Sequence, residues 1–177
     1  MEVSKHKIES LWKAIENELL RQKVGRRIEE MLLPPATKID VARFEEIIGV
    51  SLPSEYILSL GTHEGTVYWV WLWDAVDLPC ISEVIEAWKT HIDLASHPNG
   101  RGAELRSQGP VQRCMFDPLW VPFASDNGIP ICFDLNPLPG GIVGQVIYVD
   151  WEDGTVRVIA NSFVDFLENG LKKMRAS

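Results

Sequence analysis

The apolar residues of this chain change their period once, and that change restricts the fold more than any single motif does. Before Gly61 they recur at helical spacing, and after Leu119 they alternate. Over residues 5 to 33 the positions Ile8, Leu11, Trp12, Ile15 and Leu19 follow the i, i+3, i+4 rule of one buried helix face. Ile28 and Met31 take the stripe up again beyond Gly25, and Pro34-Pro35 ends it, because proline has no N–H to offer and restricts the residue before it. Thr37-Lys-Ile-Asp40 has the form of a helix cap, followed by Phe44, Ile47 and Ile48 as a buried stripe and by Gly49 as a left-handed stop. Pro53 suits the first turn of a third helix that ends near Gly61.

The second half reads as hairpins. Trp120–Ala124 and Ile129–Leu135 flank an Asn-Gly turn at Asn127-Gly128, a strong local hairpin signal. Gly144–Val149 and Thr155–Ile159 flank Glu152-Asp-Gly154 and make another. Ser162 caps a closing helix that buries Phe163, Phe166, Leu167 and Leu171. Between the halves, Val67–Trp73 alternates aromatic and branched residues, which predicts a strand with Val67, Trp69, Trp71 and Trp73 on one face. Ser82 is the expected cap of a further helix with Val84, Ile85, Trp88 and Ile92 facing inward, and residues 96 to 113 read as a long loop. Helices first, hairpins next and a helix to close predict one α+β domain over residues 1–177: an antiparallel-rich mixed sheet with helices packed against it.

Charge and cysteine content narrow the partners. Lys+Arg 17 against Asp+Glu 25 gives a net charge of −8. Nucleic acid is therefore not expected, since phosphate binding depends on clustered Lys and Arg. No apolar run reaches the ~20 residues of a membrane span. The opening Met1-Glu-Val-Ser-Lys-His-Lys lacks a secretory apolar stretch, so a cytoplasmic protein is expected. Cys80, Cys114 and Cys132 form no C-x-x-C pair and read as free, buried thiols.

A search for chemistry returns little. The chain has no G-x-G-x-x-G, no phosphate-binding loop, no G-x-S-x-G and no H-E-x-x-H. His91 and His97 are six apart, off the spacing of one helix face, so they read as solvated and no metal or other cofactor is expected. The acid pairs Asp74/Asp77, Asp126/Asp134 and Glu152/Asp153 could carry proton transfer, but Asp126 and Asp153 sit in turns where Asp serves local hydrogen bonds. Asp134 stands inside an apolar strand, where it either faces solvent or anchors something. Of the seven tryptophans, Trp12 and Trp88 fall on helical stripes and read as core. Trp71 and Trp73 are either core or exposed binding anchors, the latter because Trp dominates interface hot spots. A carbohydrate or small molecule stacked on that aromatic face is a variant of the second option.

Three stretches in order resemble a known family. They are Ile39–Gly49 with Leu52-Pro53-Ser-Glu-Tyr56 and a closing Gly65, Trp120–Gly128 with Ile131–Leu135, and Gly144-Gln145-Val146 with Ala160–Leu167. Together they resemble the SUKH superfamily in its Smi/Knr-type branch over roughly residues 30 to 170, with 1–33 an added N-terminal helix and 96–113 a variable loop. The resemblance implies an α+β fold and a protein-binding module without catalytic residues. Bacterial members are largely immunity proteins that neutralise polymorphic toxins, often nucleases, and fungal members are regulatory scaffolds of cell-wall synthesis. Glu64 departs from the Asn common before the closing glycine. A basic toxin domain is the partner this implies, met by complementary charge. The candidate contacts are Glu64, Asp74, Asp77, Asp126, Asp134, Glu152 and Asp153, with Trp71 or Trp73 as apolar anchor. Oligomeric state is left open.

Overall fold

Helix α1 (Lys5–Gln22) starts where Ser4 Oγ accepts the Lys7 N–H, and it buries Ile8, Leu11, Trp12, Ile15 and Leu19, as their spacing predicts. The computed structural model describes residues 4–68, 70–97 and 104–176. α1 does not run on to residue 33. The chain leaves the helix after Gln22, and Ile28 and Met31 come inward from a single 3-10 turn, Ile28–Glu30, and its C-terminal flank. Helix α2 (Lys38–Ile48) is capped by Thr37, whose Oγ1 accepts the Asp40 N–H at 3.1 Å, and it stops at Gly49 with φ 68°. Phe44 and Ile48 are buried, but Ile47 is 37% exposed, one position off the inward stripe. Helix α3 (Ser54–Leu60) follows Pro53, which sits at the cap rather than inside the first turn.

The expected strand over residues 67–73 is not one. Val67 N–H donates to the Met31 carbonyl, Val70 N–H to Val67, and Leu72 N–H to Val76, so the segment is a turn leading into a tight hairpin. Leu72 and Trp73, adjacent in sequence, are both buried, while Trp71 is exposed. The sharp turn centres on Asp74, at φ 50°, and the chain resumes as the short strand β1 (Val76–Asp77). Trp69 lies outside the described residues.

Helix α4 (Ile81–Ser96) is capped by Cys80, not Ser82: the Cys80 N–H donates to Glu83 Oε2 at 2.9 Å. Of the expected loop 96–113, residues 98–103 lie outside the described set, and Arg106–Gln108 form strand β2. The buried Leu105 and Val111 flank that strand. Strands β3 (Trp120–Asp126) and β4 (Ile129–Asp134) make the hairpin expected from Asn127-Gly128, with both turn residues at positive φ. Strands β5 (Gln145–Asp150) and β6 (Thr155–Ala160) make the second hairpin. Helix α5 (Phe163–Ala176) begins where Ser162 Oγ accepts the Asp165 N–H at 3.1 Å. The strands form one sheet in the order β1-β3-β4-β5-β6-β2, antiparallel throughout except where β2 pairs parallel with β6. The α+β single-domain expectation is met.

Alternation along the strands gives the sheet two apolar faces. One carries Val121, Phe123, Ile131, Phe133, Val146 and Tyr148 into the main core with α1, α3 and α5. Phe123 and Phe133 stack there at 3.9 Å, with Tyr56, Phe163 and Phe166 edge-on or tilted around them. The other face carries Trp120, Cys132, Ile147, Val149 and Val156 into a smaller core with Leu105, Val111 and Cys114. α4 packs on β3, and among the described residues no helix is long and apolar enough to cross a membrane.

One glycine in the main core has no room for a side chain. Gly170 lies within α5, and a Cβ there would stand 2.4 Å from three atoms of the Trp73 indole. Gly170→Ala gains up to ~1 kcal/mol of helix propensity but overpacks a closed site at a cost of ~1–3 kcal/mol. A net loss of about 1 kcal/mol is expected from urea unfolding, against the stabilisation that propensity alone would give.

Candidate functional site

A groove of about 430 Å³ lies between α4 and the β3–β4 hairpin. One wall is α4 itself, whose Glu83, Ala87, His91 and Leu94 share a face at spacings of four, four and three. The opposite wall is Pro122 and Pro130, flat apolar rings on neighbouring strands. Phe116 and Trp151 close the end beside Leu94, with Phe116 edge-on to His91 at 5.4 Å and 5.6 Å from Trp151. Tyr68, Pro79 and Asp77 stand at the end beside Glu83.

Asp77 reaches this place on β1, paired with β3, and is half-buried. Burial pushes its carboxyl above the ordinary range. The neighbouring charges of Glu83 and Asp126 push the same way, while a hydrogen bond to Ser125 opposes them. The groove is thus apolar along its length and acidic at one end.

At the other end a chain of buried polar groups fixes the walls. Asp134, fully buried, accepts hydrogen bonds from Trp120 Nε1 at 3.1 Å, Gln145 Nε2 at 2.9 Å and the Asn136 N–H at 3.0 Å. Asn136 Nδ2 donates to Asp117 Oδ2 at 3.2 Å, and the Asp117 carbonyl accepts from His91 Nε2 at 2.7 Å. Desolvation holds the Asp134 carboxyl above its usual range, against the three donors that favour the charged form. Burial pushes the His91 imidazole below its usual range, and the Asp117 hydrogen bond opposes that. His91 is therefore a buried, hydrogen-bonded histidine and not the solvated one its sequence context suggests.

The residues proposed as contacts fall into three groups. Asp134 and Trp73 are buried and do not stand on the surface. Trp73 packs edge-on to Phe166 at 5.2 Å. Glu64 is held inside the structure, its Oε1 accepting the Ile81 N–H at 3.0 Å at the start of α4, where a carboxylate complements the helix dipole. Asp77 and Asp126 come together where β1 meets β3, and Glu152 and Asp153 are exposed just beyond Trp151. Trp71, 43% exposed, and Asp74, ion-paired to Lys173 at 2.6 Å, lie on the hairpin before β1. Sequence reasoning missed Glu83, Leu94, Phe116 and Trp151. Trp151 left a signal: a large aromatic inside the polar turn Asp150–Gly154 has no local reason to be there.

Two expectations test this description. Asp134→Ala strands the Trp120 and Gln145 donors in a dry interior, and urea unfolding is expected to show a loss of about 3 kcal/mol. For His91, the folded state resists protonation below the unfolded value of ~6.5. Its contribution to stability is complete above that pH and is lost as pH falls from there to the lower folded value, at up to ~1.4 kcal/mol per pH unit. Unfolding curves between pH 7.5 and pH 5 are expected to show a slope from this group that His91→Gln abolishes.

Comparison with known proteins agrees with this fold. The model of the SMI1 / KNR4 family (SUKH-1) matches residues 35–169. A Schizosaccharomyces pombe protein named as a cell wall biosynthesis/cell cycle regulator, smi1, is 31% identical over an alignment of 151 residues that covers 75% of this chain and 29% of that protein. The chain thus spans under a third of the relative's length.

Proposed function

Because the chain belongs to the SMI1 / KNR4 family (SUKH-1), we propose that it is a non-enzymatic protein-binding module that holds a partner against the face formed by α4 and the β3–β4 hairpin. The observation that carries this reading is the groove: an exposed apolar channel, rimmed by Tyr68 and Trp151, on an otherwise acidic domain. Aromatic anchors around a desolvated centre are what protein interfaces use for affinity. Of the acids considered for proton transfer, Asp134 supports the fold by accepting three hydrogen bonds.

Within that class the leading reading is an immunity protein that neutralises a cognate toxin, such as a nuclease, by tight stoichiometric binding. The net charge of −8 supports it, since an acidic surface steers a basic toxin domain into register. A regulatory scaffold is the second reading, favoured by the S. pombe relative, which is named as a regulator of cell wall biosynthesis and the cell cycle. Affinity capture from the native cell at moderate salt, with mass spectrometry of the retained proteins, separates them. One basic protein at one-to-one stoichiometry, whose toxicity on co-expression this chain relieves, is the expected result. A set of envelope or signalling enzymes would favour the scaffold. Capture of no protein, together with tryptophan quenching by a small-molecule or carbohydrate panel, would overturn the protein-binding reading.

A further inference from the structure

We propose that the groove between α4 and the β3–β4 hairpin takes a short extended segment of the partner, with a basic side chain at the Asp77–Glu83 end and an apolar side chain at the Leu94–Trp151 end. This deepens the protein-binding reading and rests on it. The α4 wall from Glu83 to Leu94 spans eleven helical steps, about 16 Å at 1.5 Å each. Extended chain at ~3.3 Å per residue fills that length with about five residues. The two anchoring side chains therefore stand four or five positions apart.

The two ends differ in chemistry. Beside α4's N-terminus, Asp77 and Glu83 face the groove with Asp126 close enough to be felt, and none of the described lining residues is Lys or Arg. The Asp77 carboxylate is half withdrawn from water, so a cation entering there meets charge that solvent screens poorly. Tyr68, 76% exposed, stands at the same end of the groove. At the far end Leu94, Phe116 and Trp151 offer only apolar and aromatic surface. Pro122 and Pro130 line the sheet side between, and proline rings have no N–H for an added strand. The occupant is held by its side chains, not by extension of the sheet.

Random 12-residue peptides displayed on phage, selected on the full chain and then synthesised for fluorescence polarisation, test this directly. The expected consensus is Arg or Lys four or five positions from Leu, Ile, Phe, Tyr or Trp. Binding should weaken at least tenfold in Asp77→Asn, which keeps the side chain's shape, and in Trp151→Ala, with circular dichroism confirming the fold. Glu29→Lys, exposed in the 3-10 turn, should bind as the wild type does. Peptides without a basic residue, an empty selection, or unchanged affinity in both groove variants would overturn the proposal. The broader reading is judged apart from it. If the captured partner is retained equally by Asp77→Asn/Trp151→Ala, the module reading stands and the groove assignment fails. If peptides select as expected while wild type retains no protein, the groove stands and the module reading fails.

Discussion

A line of hydrogen bonds, buried at both ends and half-buried at Asn136, runs from Gln145 through Asp134, Asn136 and Asp117 to His91, from the middle of the sheet to α4. Each member sits on a different piece of chain: β5, β4, the turn after it, the segment before β3, and the helix. Sheet and helix alone would leave these pieces related only by apolar contact, which fixes distance loosely. Fully partnered polar groups in a dry interior fix it tightly, because any alternative arrangement leaves a donor or acceptor unsatisfied. The groove inherits its shape from that line, since His91 and Phe116 form its wall where the line ends.

The two sheet faces divide the work. α1, α3 and α5 close one face over a stacked aromatic cluster, and this supplies most of the apolar burial. The other face has a small core, and α4, whose Ile81 and Val84 join the main core, passes along β3 beside it. What remains between helix and hairpin is accessible apolar surface whose position is set by strands that the main core already holds. A recognition surface on such a support is preorganised, and less of its binding energy is lost to ordering side chains on association.

Much of the fold was legible because it depends on local chemistry. Thr37 and Ser162 announce their helices by side-chain caps, and Asn127-Gly128 announces a hairpin through backbone angles that few other pairs accept. Residues 67–73 misled because alternation was carried by large aromatics. Tight packing of Trp73 against Gly170 and Phe166 draws two adjacent side chains inward and breaks the period. The β2 strand was hidden in a polar, glycine-rich stretch because its pairing partner lies far along the chain. At the candidate site, residue type was visible but engagement was not. Glu64 and Asp134 are acids like Asp77, and only three-dimensional neighbours reveal that one caps a helix, one anchors a network and one faces a groove.

The parallel pairing of β2 with β6 also has a kinetic side. Arg106 lies opposite Thr155, so the contact closes a loop of about fifty residues whose entropy must be overcome before any pairing is gained. The β3–β4 and β5–β6 hairpins close across short turns and need no such delay. The strip from Leu105 to Phe116, which includes one end wall of the groove, is thus expected to dock after the two hairpins have closed. During synthesis β6 must emerge before that strip can dock, and the stacked Phe123 and Phe133 wait in the same way for Phe163 and Phe166 of α5, so a chain still growing past β4 has neither its aromatic core nor its recognition surface complete.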